Sequence, residues 1–122
     1  MGGGGWQVAV FLGVLLLPGP AAAADQARAA AEAAGRQVYE TRCTPCHGVG
    51  GAGDGPAAAA MEPKPRNFRD PGFWKGRSTE QLRLVVTQGR PGTLMAPFEG
   101  VLSRAEIDAV VAYVQSFRPA AP

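Results

Sequence analysis

The clearest hydrophobic pattern lies near the end of the chain. Five apolar residues recur there at the three- and four-residue spacing of one helix face, namely Ile107, Val110, Val111, Val114 and Phe117. The capping box Ser103-Arg104-Ala105-Glu106 precedes them, and Pro119 follows them. The pattern predicts an amphipathic helix whose apolar face packs against a core.

Two further helices are predicted upstream. One follows the capping box Ser78-Thr79-Glu80-Gln81 and ends at Gly89, with apolar residues at helical spacing between them. The other is Ala-rich and runs from about Gln26 to Cys46, with Asp25 as its cap. It carries Gly35, Tyr39 and Cys43 on one face, and a glycine in that register indicates that another backbone passes close by.

Long loops join these helices. Residues 47–77 contain much Gly and Pro, with one short helical turn predicted at Ala57–Met61, and residues 90–102 form a second loop. No segment shows the alternation of apolar and polar residues that indicates a strand. We therefore expect an all-α domain of three main helices. Loops of this length and so small a core need a further source of order, which a large apolar cofactor would supply.

Residues 1–24 match a secretory signal peptide. An apolar run of about twelve residues, Trp6 to Leu17, is too short to span a membrane, and Pro18-Gly19-Pro20 ends it. Ala22-Ala23-Ala24 supplies the small residues that signal peptidase accepts, so cleavage is expected between Ala24 and Asp25. The segment before the apolar run has no Lys or Arg, and an uncleaved anchor or a buried helix remains the alternative. The mature domain would span residues 25–122.

Composition narrows the function classes. A chain of 122 residues holds one small domain, which excludes a two-domain enzyme or a repeat array. A formal charge of +2 without any basic run excludes a nucleic-acid surface. The two cysteines and the single histidine of the chain all lie within five residues, in Cys43-Thr44-Pro45-Cys46-His47. The chemistry is therefore expected at this one place.

This motif allows four interpretations. A thioredoxin-like redox pair needs a preceding strand and a parallel sheet, and neither is predicted. A structural zinc site needs four ligands, but the chain has no second Cys/His pair. A disulfide across two residues would close too small a loop to stabilise much, and it leaves His47 without a role. Covalent haem attachment uses all three residues, because two thiols on one turn of helix reach two vinyl groups and carry the next residue under the ring.

On the basis of this motif and several others, the chain resembles a class I c-type cytochrome. The resemblance covers residues 35–117 and rests on motifs in the family's order. These are Gly35 and Tyr39, then C-T-P-C-H, G-x-G-D-G-P (51–56), P-R-N-F (65–68), T-L-M-A-P-F (93–98) and Ala-Tyr-Val (112–114). It implies a cytochrome c fold, with three main helices and long loops wrapped around one covalently bound haem.

The resemblance also implies roles for individual residues. Gly35 and Tyr39 would pack near Tyr113 where the first and last helices cross, and the carbonyl of Pro56 would orient His47. Met95, 48 residues after His47, is expected as the second axial ligand of the iron, although Ala96 stands where the family usually has proline. Met61 and an open sixth site remain alternatives. The haem propionates are expected to bind Arg66, Asn67, Trp74 and Arg77.

The function that follows is transfer of one electron at a time. If His47 and Met95 fill both axial positions, no substrate reaches the iron, so a carrier is expected rather than an enzyme. The expected setting is a periplasmic electron-transfer chain, with a monomeric protein that meets its donor and acceptor transiently. The alternatives are an electron-entry subunit of a larger oxidoreductase and a gas-binding haem sensor.

Overall fold

The computed structural model describes residues 1–6, 8–10 and 12–121, and within them it has four α-helices. These are α1 (Pro20–Arg42), α2 (Thr44–His47), α3 (Thr79–Gln88) and α4 (Arg104–Gln115). Short 3-10 turns lie at Ala58–Ala60 and Pro71–Trp74. The same residues contain no strand, only an isolated bridge between Glu99 and Leu102. The all-α prediction is confirmed.

The N-terminal helix differs from its prediction at both ends. It begins at Pro20 rather than after Asp25, because proline suits the first turn of a helix and the alanines that follow propagate it. Asp25 is therefore not a cap, and its carboxylate instead pairs with Arg28 at 3.1 Å. The predicted single helix to Cys46 is divided at Cys43, since Pro45 cannot donate to the carbonyl four residues back but fits the start of a new helix.

The two capped helices agree with their predictions. The side chain of Ser78 accepts from the Gln81 N–H in α3, and Ser103 accepts from the Glu106 N–H in α4. In each case the glutamine or glutamate side chain accepts from the backbone N–H of the serine, which completes the capping box. Gly89 ends α3 with φ = +69°. Each helix start is thus determined by a local pattern of four residues.

The core lies where α1 crosses α4. A Cβ on Gly35 would collide with the carbonyl oxygen of Ala109, so only glycine lets the two backbones approach this closely. One turn further, the ring centroid of Tyr39 lies 5.3 Å from that of Tyr113 and 5.2 Å from that of Phe117. The expected crossing of the first and last helices is confirmed.

Most of α1 before Gly35 lies outside this core. The buried residues of the helix are Gly35, Val38 and Tyr39, and residues 20–34 are exposed. The apolar side chains described between Trp6 and Leu17 are also exposed. No helix within residues 1–6, 8–10 and 12–121 combines the length and the apolarity needed to cross a bilayer. The folded core is therefore built from residues 35 onward.

Candidate functional site

The Cys-x-x-Cys-His motif occupies the junction between α1 and α2. The Cys43 N–H donates to the Tyr39 carbonyl at 2.9 Å, and the His47 N–H donates to the Cys43 carbonyl at 2.8 Å. Both thiols are free and half-buried. Burial, with a smaller contribution from Cys46, raises the pKa of the Cys43 thiol to about 11. The two thiols and the imidazole are thus presented within little more than one helical turn.

The imidazole of His47 is held by the segment that follows the first long loop. Its ring stacks on Phe68 with centroids 4.6 Å apart, and its Nδ1 lies 3.4 Å from the carbonyl oxygen of Arg66. Burial lowers the pKa of His47, which favours the neutral ring. With Nδ1–H turned towards the Arg66 carbonyl, Nε2 has a free lone pair, which is the tautomer that binds a metal.

The carbonyl that faces His47 is not the expected one. Pro56 is exposed and lies in a segment that runs along the backbone of α2, because the Gly55 N–H donates to the Cys46 carbonyl and the Ala57 N–H donates to the Pro45 carbonyl. The Gly53 N–H donates to the backbone carbonyl of His47 at 2.8 Å, whereas the imidazole ring meets the chain at Arg66 and Phe68. The expected role of Pro56 is therefore taken in this structure by Arg66.

His47 and Met95 line the same pocket. Its apolar wall comes from α3 and α4 and consists of Leu82, Val85, Val86, Val111 and Val114. Met95 belongs to residues 93–98, hereafter the Met95 loop, which is fixed to the end of α3. The Phe98 N–H donates to the Val86 carbonyl, and the Arg90 N–H donates to the Met95 carbonyl, each at 3.1 Å. The structure thus brings an imidazole and a thioether from distant segments to one apolar site.

Three arginines lie on the same pocket: Arg66, Arg77 and Arg90. The guanidinium of Arg77 lies 4.3 Å from the ring centroid of Phe73, and its Nε donates to the Phe73 carbonyl. Burial lowers the pKa of Arg77, and the positive charges of Arg66 and Arg90 lower it further. Arg90 was missed from the sequence. Its position directly after the helix-ending Gly89 and five residues before Met95 was the available signal.

The other two residues expected at the propionates are engaged elsewhere. The Trp74 indole is 4% exposed, and its N–H donates to the Phe68 carbonyl at 2.7 Å, so no donor remains for a carboxylate. The Asn67 side chain is exposed, and its Oδ1 accepts from the Arg69 N–H at 2.8 Å. Neither residue lines the pocket. Both side chains instead stabilise the turn that carries Phe68.

The chemistry of the pocket fits a haem c. Two free thiols match attachment through thioethers, while the imidazole and the thioether are both ligands that haem iron accepts. The aliphatic wall suits the porphyrin face, and the guanidinium groups suit its two carboxylates. Within the described residues, no group of three or more His, Cys, Asp and Glu side chains is arranged to hold a metal ion by itself.

The chain is similar to several known proteins. The family model described as "Cytochrome C oxidase, cbb3-type, subunit III" matches residues 30–114. Dihydro-heme d1 dehydrogenase of Pseudomonas aeruginosa is 37% identical over 94 residues, covering 76% of this chain and 17% of that protein. The cbb3-type cytochrome c oxidase subunit FixP of Azorhizobium caulinodans is 33% identical over 100 residues, covering 75% of this chain and 31% of that protein. The chain therefore spans less than a third of the length of these two curated relatives.

Solved structures agree with the sequence comparisons. A reducing HAO-like protein complex of Kuenenia stuttgartiensis matches with a TM-score of 0.67 and 32% identity, over 88% of this chain and 48% of that one. The c-type cytochrome KustC0563 matches with a TM-score of 0.58 and 30% identity, over 70% of this chain and 98% of that one. Together with the site, these matches show that the chain belongs to the c-type cytochromes, a family whose members bind haem c covalently.

Proposed function

We propose that the chain is a monohaem one-electron carrier. In this proposal Cys43 and Cys46 would hold the haem through thioethers, and His47 and Met95 would ligate its iron. The observation that carries the proposal is the pocket itself, since the imidazole and the thioether line one apolar site although 48 residues separate them. When bound, the haem supplies a one-electron Fe(III)/Fe(II) couple.

Residues of the chain would set the reduction potential of the Fe(III)/Fe(II) couple and shield it from water. The Arg66 carbonyl, 3.4 Å from Nδ1, orients His47. A methionine opposite it raises the reduction potential relative to ligation by two histidines. The aliphatic side chains of α3 and α4 keep water from the porphyrin face. With both axial positions occupied, no substrate binds the iron, and we infer a carrier rather than an enzyme.

The ferric absorption spectrum tests this proposal. We expect the wild-type protein to be low-spin, with the long-wavelength charge-transfer band of methionine ligation, and Met95→Leu to lose that band. Met61→Leu is the matched control, because Met61 lies outside the pocket and its variant is expected to retain the wild-type spectrum. A high-spin wild type that binds carbon monoxide rapidly would refute the carrier and favour a gas-binding protein. Haem staining after denaturing electrophoresis checks the covalent bonds.

The partners are proposed to be redox proteins that bind transiently. Val49, 76% exposed, lies two residues after the attachment motif, and Leu94, 67% exposed, lies within the Met95 loop. We propose that Pro45, Val49, Ala52 and Ala96 contribute to the contact surface for redox partners, together with Leu94, and no strong charge is needed for a short-lived encounter. A monomer is the simplest carrier of this kind.

A subunit of a larger oxidoreductase is the second candidate. It is favoured by the comparisons, because the curated relatives are much longer and include a subunit of a cbb3-type oxidase. Co-purification from native membranes, with and without a cross-linker, separates the two functions. A stoichiometric partner that survives without cross-linking indicates a subunit, and recovery of the free protein indicates a carrier.

Export to the periplasm is proposed from the N-terminal segment. The apolar side chains described in residues 6–17 are exposed and contribute nothing to the core. Cleavage after Ala24 would remove the first, exposed residues of α1, which begins at Pro20, and would leave the core itself untouched. The N-terminal residue of the mature protein tests this, and Asp25 is expected. A protein that still carries residues 1–24 would indicate a retained anchor.

A further inference from the structure

Three positive charges line the haem pocket, and none of them is paired with a carboxylate among the residues that the structure describes. Arg66, Arg77 and Arg90 all line it, and the pKa of Arg77 is depressed in part by the other two. Among the residues that the structure describes, no carboxylate oxygen lies within 4.0 Å of their nitrogens, whereas Arg28 and Arg36 each pair with one carboxylate and Arg83 pairs with two. Like charges at one partly desolvated rim repel each other, so the cluster is arranged for an anionic ligand.

The other arginines of this region face away from the pocket. The Arg69 guanidinium lies 5.5 Å from the ring centroid of Phe117, and its Nε donates to the Gly50 carbonyl. The Arg118 guanidinium lies 5.4 Å from the ring centroid of Trp74. Neither side chain is among those that line the pocket. The convergence is therefore specific to three residues rather than a general excess of basic side chains.

Arg90 differs from Arg66 and Arg77 because its backbone is hydrogen-bonded to the Met95 loop. Its N–H donates to the Met95 carbonyl at 3.1 Å, and its carbonyl accepts from the Thr93 N–H and the Thr93 hydroxyl at 3.1 and 2.7 Å. The Thr93 hydroxyl oxygen in turn accepts from the Met95 N–H at 3.2 Å. These hydrogen bonds, all within residues 90–95, link the position of Arg90 to that of Met95.

We propose that Arg90 completes a three-arginine clamp on the two carboxylates of the haem and, through its backbone, holds the Met95 loop closed over the iron site. This inference rests on the proposed function and adds to it a positioning residue that joins the charged rim to the axial ligand. Binding of the carboxylates fixes the guanidinium of Arg90, and the fixed residue keeps its hydrogen bonds to Thr93 and Met95.

The charge of Arg90 also favours the ferrous state. Ferric iron carries one more positive charge than ferrous iron, so a nearby guanidinium destabilises it more. Replacement of Arg90 by glutamine removes this charge and leaves the haem carboxylates less well neutralised. Both effects stabilise the ferric form and lower the reduction potential.

The test compares three variants of the haem-loaded protein. Arg90→Gln is expected to shift the equilibrium towards ferric haem by about three- to tenfold, or about 28 to 59 mV for a one-electron couple. It is also expected to strengthen binding of imidazole to the ferric iron several-fold, because the Met95 loop opens more easily. Arg90→Lys keeps the charge and is expected to restore most of the potential. Arg28→Gln removes an exposed charge far from the pocket and is expected to behave as wild type.

The outcomes separate this inference from the proposed function. If Arg90→Gln has the potential and the imidazole affinity of Arg28→Gln, the clamp is refuted while the carrier stands. If the wild-type protein lacks covalent haem or methionine ligation, the proposed function itself fails before any Arg90 variant is compared. Thermal unfolding followed by circular dichroism verifies that each variant is folded.

Discussion

The close approach of α1 to α4 makes Gly35 the most sensitive position of the core. In Gly35→Ala the new Cβ would collide with the Ala109 carbonyl oxygen and lie 2.6 Å from its carbon, where ordinary contact begins at 3.4 Å. The obstacle is backbone, so no side-chain rotation relieves it, and the helices must separate by on the order of 1 Å. That movement also loosens the contact of Tyr39 with Tyr113, whose ring centroids are 5.3 Å apart.

Two opposing effects determine how much Gly35→Ala changes the free energy of unfolding. Alanine favours a helix over glycine by about 1 kcal/mol, while overpacking between two elements costs about 1–3 kcal/mol and separation of the aromatic pairs adds about 0.5–1.5 kcal/mol. The net expectation is a loss of about 1–3 kcal/mol in the free energy of unfolding. For a domain of about 100 residues this lowers Tm by roughly 5–20 °C.

Denaturant unfolding of the haem-loaded protein, followed by circular dichroism, measures this loss. Gly50→Ala is the matched control, because its φ is not positive and its Cβ would have only Arg69 side-chain atoms nearby, at 3.8 Å. A compatible glycine-to-alanine change stabilises a protein by about 0.4–1 kcal/mol or leaves it unaltered. A Gly35→Ala protein as stable as Gly50→Ala would show that the crossing does not depend on the glycine.

Three further predictions concern single contacts. Gly89→Ala forces a side chain onto φ = +69° and 2.6 Å from the Met95 carbonyl oxygen, so the methionine charge-transfer band of the ferric protein should weaken in its absorption spectrum. Tyr39→Phe removes a buried 2.7 Å hydrogen bond to the Gly48 carbonyl and should lower the free energy of unfolding by about 1–3 kcal/mol in denaturant titrations. Hydrogen bonds with Ser103 lower the pKa of Glu106, so the ionised carboxylate stabilises the folded protein. This stabilisation is complete above the unfolded pKa of about 4.3 and is lost as pH falls through the folded pKa. In Glu106→Gln, Tm should therefore depend less on pH in that range.

Controls for these predictions come from neighbouring positions. Gly92→Ala also introduces a side chain at positive φ, +77°, but no atom of the described part of the chain lies within 4 Å of the new Cβ, so the variant should lose stability without losing the methionine band. Tyr113→Phe alters an aromatic ring of the same cluster whose hydroxyl makes no hydrogen bond to any of the described residues, and it should cost less stability than Tyr39→Phe. An unchanged pH profile in Glu106→Gln would show that the carboxylate does not contribute to the cap.

Local patterns allowed several features to be predicted from the sequence. The attachment motif needs only five consecutive residues, and each capping box needs only four, so their geometry is determined by neighbours along the chain. The same holds for Gly89 at the end of α3 and for the apolar face of α4. The break before Pro45 is equally local. The expected single helix to Cys46 was wrong because Pro45 cannot continue the hydrogen-bonding of α1 and instead lies in the first turn of α2.

The partners of side chains from different segments depended on the tertiary structure. Whether His47 faces the carbonyl of Pro56 or of Arg66 depends on where the first long loop returns to the core, and no local pattern records that return. Trp74 is bound to the Phe68 carbonyl for the same reason. Arg90 lines the pocket because the end of α3 lies beside Met95 in the folded structure.

The difference between what the sequence predicted and what only the tertiary structure decided has a physical cause. Helix starts, helix ends and the spacing of Cys43, Cys46 and His47 follow from backbone geometry within a few residues, so the sequence by itself determined them and the cofactor that they indicate. Long-range contacts depend on how loops of a dozen or more residues close, and many closures have similar entropic cost. Met95, Arg66 and Arg77 were expected from the sequence, but only the packed structure decided which carbonyl faces His47 and added Arg90 to the site.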